Sequence, residues 1–131
     1  MLGVDTNVLV RFLVRDDEAQ FEKAQRLIRR ELGAGEEVFV SLPVLLETEW
    51  VLRSRCRMKK KEILAAVSGL MDASEVRFED EPSVEETLFI WKDSVAEFAD
   101  CLIGAHNRRQ GCRATATLDT KTVKLPGFVV I

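Results

Sequence analysis

The spacing of hydrophobic and polar positions changes several times along this chain, and each change marks an element. Leu2 to Val4 form a short apolar run ending in Asp5-Thr6-Asn7, which predicts a buried strand over residues 1–5 turning into a helix over 6–14. Phe21, Ala24, Leu27, Ile28 and Leu32 recur at helical spacing before Gly33, so residues 17–32 read as a second helix. Glu36 to Ser41, carrying Val-Phe-Val, reads as a strand, and Pro43 opens a helix that runs to residue 55. A helix from Lys59 to Met71, a strand at 75–78 and helices at 81–95 and 97–110 follow, the last stopped by Gly111. The threonines of 114–119 and the closing Phe-Val-Val-Ile give two further strands. Strands alternating with helices predict an α/β fold with a mostly parallel central sheet flanked by helices. No repeat, low-complexity tract or Pro/Gly-rich linker breaks the order, so residues 1–131 are expected to form a single domain.

Composition narrows the class. At 131 residues and 47% hydrophobic the chain can bury a core, which excludes disorder as the main reading. No apolar run approaches the roughly 20 residues of a membrane span. The first residues lack a basic leader and are interrupted by Asp5 and Arg11, so no signal peptide is expected and the reading is cytoplasmic, with no membrane partner. Cys56, Cys101 and Cys112 form no C-x-x-C pair and His106 is the lone histidine, so any metal would be held by oxygen. Net charge is -3, which taken alone argues against a nucleic-acid partner. The distribution qualifies that sum. Arg53 to Lys61 holds six basic residues and no acid, while Asp72 to Glu86 is strongly acidic. Such runs are usually solvated surface; the sharper reading of the first is a surface for a phosphate backbone.

In open parallel sheets, ligands sit beyond the carboxyl ends of strands, where strand order reverses. Asp5 and Asp119 stand at two such ends. Each has a plain alternative, Asp5 as a helix cap and Asp119 as a turn residue. Between Pro43 and Leu52 the apolar residues spread around the whole helix, so a carboxylate there carries a desolvation cost unless it is paired or bound to a cation. Periodicity does not choose between Glu47 and Glu49. Arg53 offers Glu49 a partner at i+4, which leaves Glu47 the odder charge. Asp100 suits the exposed first turn of a helix, yet Gly104 one turn on suggests open space beside its carboxylate.

Four blocks together are more specific than any one acid. Gly3-Val-Asp-Thr-Asn-Val-Leu9, Pro43 to Leu52, Ala99-Asp-Cys-Leu-Ile-Gly-Ala105 and Thr117-Leu-Asp-Thr-Lys121 resemble the blocks of PIN-domain ribonucleases, within them the VapC-like toxins of toxin–antitoxin (VapBC) pairs. The resemblance runs end to end and implies a single PIN-like domain. It assigns an acidic metal site to Asp5, Glu47, Asp100 and Asp119, with Thr6, Asn7 and Thr117 in support. The Trp-Val-Leu that begins three residues after Glu47 favours it over Glu49. Leu118 stands where relatives often carry phenylalanine, read as a change of packing. The implied activity is an Mg²⁺-dependent endoribonuclease, with Mn²⁺ an alternative, leaving a 5′-phosphate and a 3′-hydroxyl. Clustered carboxylates suit a hard divalent cation, which activates water and offsets charge on the phosphate. The resemblance also implies an RNA substrate, a cognate antitoxin, a homodimer, and operator DNA bound only through the antitoxin. Arg11, Arg15, Arg108, Arg109 and Arg113 are candidate phosphate contacts.

Three rival readings make different demands on these residues. A non-cleaving PIN-like binder of RNA or a partner keeps the fold without turnover. A receiver-type signalling domain needs an acidic pair after the first strand and a phosphoacceptor at the end of the third; here Asp5 stands alone, and Glu79-Asp80-Glu81 after Phe78 gives no clear strand-end match. An aspartate-nucleophile phosphatase needs a second aspartate where Asn7 stands.

Overall fold

In the computed structural model, which describes residues 1–131, three short strands pair in parallel. They are β1 (Leu2–Gly3), β2 (Val38–Val40) and β3 (Val76–Phe78), in the order β1-β2-β3 with Leu2 opposite Val38 and Val38 opposite Val76. Helices α1 (Thr6–Leu13) and α2 (Glu18–Gly33) join β1 to β2, and α3 (Leu42–Ser54) and α4 (Lys60–Asp72) join β2 to β3. Helical crossovers are what parallel neighbours require, because a tight hairpin cannot return a strand in the same direction. These elements make one compact unit, Met1–Glu79. Its core is Val4, Leu9, Val38, Val40, Leu45, Leu52, Ile63 and Val67, all buried.

Asp80–Ile131 forms a second compact unit. Helices α5 (Glu81–Lys92) and α6 (Phe98–Arg109) make a helical hairpin, followed by β4 (Thr115–Thr117), a single 3-10 turn (Thr122–Lys124) and β5 (Phe128–Val130). β4 and β5 pair in parallel, Thr115 opposite Phe128. At the closed end of the hairpin the Trp91 and Phe98 rings meet edge to face, centroids 5.1 Å apart. At the other end Asp80 joins the start of α5 to the last turns of α6: its carboxylate accepts from Ser83 Oγ (2.5 Å), His106 Nδ1 (2.6 Å) and Arg109 Nε (3.0 Å). An acid at a helix start and cations at a helix end also complement both backbone dipoles.

The α/β class and parallel pairing agree with the pattern-based reading. Pairing is divided between a three-stranded and a two-stranded sheet, and α5 stops at Lys92 rather than at residue 95. There the chain leaves the helix through a turn in which Ser94 Oγ accepts from the Ala96 N–H at 2.9 Å. No helix is long and apolar enough to cross a membrane.

Candidate functional site

Asp5 follows β1 and caps α1. Its backbone is extended, and Oδ1 accepts the Val8 N–H at 3.0 Å. Capping uses one carboxylate oxygen and leaves the exposed side chain with acceptor capacity, so the cap and a ligand role do not compete. Thr6 is buried, whereas Asn7 is exposed and lines a groove of about 440 Å³ with Arg11, Gln20 and Lys23.

On α3 the buried stripe is Leu45, Thr48, Glu49 and Leu52, spaced i, i+3, i+4, i+7. Glu47 lies off that stripe and is exposed. The expectation of a helix buried on every side is therefore corrected, and the choice that periodicity left open between Glu47 and Glu49 as the buried charge falls on Glu49. Glu49 is the buried carboxylate, 3% exposed, and Arg53 Nε at 2.8 Å offsets its desolvation. Glu47 keeps both oxygens available to a ligand on the outward face.

In the second unit two of the four acids come together. Asp119 sits in a tight turn after β4: its N–H donates to Thr117 Oγ1 (3.0 Å) and its Oδ1 accepts the Lys121 N–H (2.8 Å). Thr122 Oγ1 lies 3.0 Å from Asp119 Oδ2 and 3.3 Å from Asp100 Oδ2, so one hydroxyl stands between two carboxylates. The Lys121 N–H, followed by the Thr122 hydroxyl, holds the Asp119 carboxyl below the usual carboxylate range. Burial pushes the Asp100 carboxyl up; the Thr122 hydroxyl opposes that, and the charges of Glu97 and Asp119 add to it.

Thr122 was not singled out in the sequence. Its signal was local, a hydroxyl three residues after Asp119 at the start of a helical turn. Two other readings change. Gly104 leaves no open space: a β-carbon there would stand 2.5 Å from Phe128 Cε2. Leu118, read as a packing position, is 81% exposed, because the turn that fixes Asp119 points the preceding side chain to solvent. Of the candidate phosphate contacts, Arg11 pairs with Asp16, Arg15 with Glu18, Arg108 with Glu86 and Arg109 with Asp80.

Within neither unit do three or more His, Cys, Asp or Glu side chains gather into a ready-made metal cage. The donor chemistry of Asp100 and Asp119 still fits a cation. Thr122 has one proton to give to two facing oxygens, so their charges are only partly relieved, and all-oxygen donors suit Mg²⁺ or Mn²⁺.

A family model described as PIN domain matches residues 3–127. A protein of Aquifex aeolicus (strain VF5) named VapC ribonuclease is 23% identical over 128 residues, covering 98% of this chain and 93% of that protein. A solved structure of VapC20 from Mycobacterium tuberculosis, described as a Sarcin-Ricin loop cleaving toxin, is 23% identical, with a TM-score of 0.44 over 98% of this chain and 97% of that one.

Proposed function

This chain belongs to the PIN domain family, and from that premise we propose that it is a metal-dependent endoribonuclease, the toxin of a toxin–antitoxin pair. The observation that carries the reading is the pair Asp100 and Asp119, from two of the four blocks that resemble PIN ribonucleases, held around the Thr122 hydroxyl. The name of the Aquifex aeolicus relative supports ribonuclease activity. The toxin role, a cognate antitoxin, a homodimer, a cytoplasmic location and operator DNA reached only through the antitoxin follow from the four-block resemblance. One domain over residues 1–131 accords with a family match that spans nearly the whole chain.

Asp5, Glu47, Asp100 and Asp119 are the carboxylates proposed to hold the cation. When bound, Mg²⁺ or Mn²⁺ supplies the charge that makes water a nucleophile near neutral pH and offsets the phosphate. Thr122 fixes the facing oxygens of Asp100 and Asp119, and Thr117 fixes the turn that presents Asp119. Asp5, anchored through Val8 N–H, is held in one orientation at the start of α1. Thr6, next to it in the chain, is buried, and Asn7 lines the groove with Arg11 and Lys23.

The test is incubation of purified protein with a panel of structured RNAs in Mg²⁺, Mn²⁺ or EDTA, beside Asp5→Asn and Asp100→Asn. Cuts are expected with either metal, and none with EDTA or in the variants. Cutting that survives EDTA and both substitutions overturns the assignment. RNA bound but never cut turns the reading to a non-cleaving binder.

A further inference from the structure

Phosphodiester substrates must be held as well as cut, and four of the five arginines that the sequence suggested for this are already paired with carboxylates of their own unit. The corner between α3 and α4 is different. Residues 53–61 read Arg-Ser-Arg-Cys-Arg-Met-Lys-Lys-Lys without an acid. The carboxylates nearest in sequence are engaged locally, Glu49 with Arg53 Nε and Glu62 Oε1 with the Lys59 N–H. Arg55, Arg57, Lys59 and Lys61 are all exposed.

This corner is also built to a fixed shape. The Arg55 and Cys56 N–H groups both donate to the Val51 carbonyl, and Met58 N–H donates to the Leu52 carbonyl. Arg57 takes a left-handed backbone, φ 53°, where an arginine is uncommon and a glycine would be at ease. Such conformations persist only where the surrounding structure imposes them. Beside the cations stands a flat apolar face. Trp50 is 47% exposed, and the Arg55 guanidinium lies over its ring, 5.5 Å from the centroid. Glu47 and Trp50 are one helical turn apart on the outward side of α3, so the ring and the cations continue from a proposed metal-holding carboxylate.

We propose that the α3–α4 corner is an RNA-binding surface in which Arg55, Arg57, Lys59 and Lys61 hold the phosphate backbone and Trp50 stacks on a base. An exposed aromatic among exposed cations, with one ring face under Arg55 and the other open to a base, is what single-stranded or splayed nucleotides need: every base has a face to stack, and every linkage a charge to neutralise. The proposal rests on the ribonuclease reading and deepens it, naming where the substrate lies beyond the scissile bond.

The experiment measures binding of a fluorescein-labelled mixed-sequence single-stranded RNA across a salt series, in an Asp100→Asn background that does not cut. Substituting Arg55, Lys59 and Lys61 by Gln together is expected to weaken binding and lower the slope of log affinity against log salt by about 2, since each lost contact to a single strand removes about 0.7. Trp50→Ala is expected to weaken binding about tenfold, the scale of one lost stacking contact, with Trp50→Phe restoring most of it. Arg57→Gly suits the local backbone, so its affinity should fall while its thermal midpoint holds. The matched control neutralises Arg26, Arg29 and Arg30 on α2 and should leave the slope unchanged. Equal affinity and slope in the corner variants, with RNA cut by the wild type, overturns the corner alone. RNA neither bound nor cut by the wild type removes the ribonuclease reading with it. Loss of binding to poly-glutamate with RNA binding intact overturns the proposal in favour of an acidic protein partner.

Discussion

A β-carbon on Gly104 would stand 2.5 Å from Cε2 and 3.1 Å from Cζ of Phe128, so the absent side chain is what lets β5 lay its ring on α6. Gly104→Ala is therefore expected to destabilise by about 1–3 kcal/mol, the cost of overpacking a well-filled site. Combining it with Phe128→Leu should cost less than the two single changes added together, because the smaller side chain removes the clash. Urea midpoints of the four proteins measure this, and simple additivity would refute the contact. Asp80 carries a second residue-scale consequence. Burial pushes its carboxyl up, but the donors Ser83 and His106 outweigh burial and hold it below the usual carboxylate range. A lowered value in the folded chain means that the unfolded chain takes up its proton first, so this stabilisation is complete above the unfolded carboxylate pKa of about 3.9 and is lost as pH falls through the lower folded value. Its side chain is only 12% exposed, so Asp80→Asn, which tolerates the same left-handed backbone, should cost about 1.5–3 kcal/mol at neutral pH. The gap between wild type and variant should hold from pH 7 down to about 5 and close towards pH 3. A gap that persists in acid would show that geometry rather than charge is at work.

Helix α3 shows what an element-scale pattern reveals and where it stops. Its existence and bounds follow from Pro43 and the apolar run, and the β2–α3 junction follows from Ser41, whose Oγ accepts the Val44 N–H at 3.4 Å. Its orientation does not follow, since Val44, Leu45, Leu46, Trp50, Val51 and Leu52 leave no polar face to read. Arg53 resolves the matter by making Glu49 affordable in the buried stripe and freeing Glu47 to face outward. The same limit holds elsewhere. Strands of two or three residues are visible from composition, but their division into two sheets depends on partners far along the chain. Asp100 and Asp119 were legible as members of blocks, while their meeting depends on the contact of Asp100 with Thr122, 22 residues apart, and has no local periodicity. The buried stripe of α3 also contains Thr48, 1% exposed, whose Oγ1 has no hydrogen-bond partner. An unsatisfied buried hydroxyl costs about 1–3 kcal/mol, and valine has nearly the same shape and helix propensity. Thr48→Val should accordingly raise stability by about 1 kcal/mol, with the urea midpoint moving up at constant slope. An unchanged or lower midpoint would show that the hydroxyl is satisfied in solution.

Across the whole molecule 22 acids outnumber 19 basic residues, yet the excess is uneven, with cations crowded at 53–61 and acids at 72–86. Asp5, Glu47, Asp100 and Asp119, all outside the acidic run, are proposed to hold a divalent cation, and that assignment has a consequence for folding that needs no substrate. A cation that binds the folded chain and not the unfolded one stabilises it by mass action, by about 2.7 kcal/mol at a hundred times its dissociation constant. Thermal melts in rising Mg²⁺ should show a saturating increase in Tm that EDTA reverses. Na⁺ at matched ionic strength should not reproduce it, because screening relieves like charges without occupying a site. Asp100→Asn removes one of the two carboxylates that flank Thr122, so it should leave the metal-free protein as stable or more stable while flattening the response to Mg²⁺. Those two effects run in opposite directions, which separates a lost ligand from a damaged fold. An equal rise in Tm with Mg²⁺ in wild type and Asp100→Asn would place the cation elsewhere on the chain and withdraw Asp100 from the site.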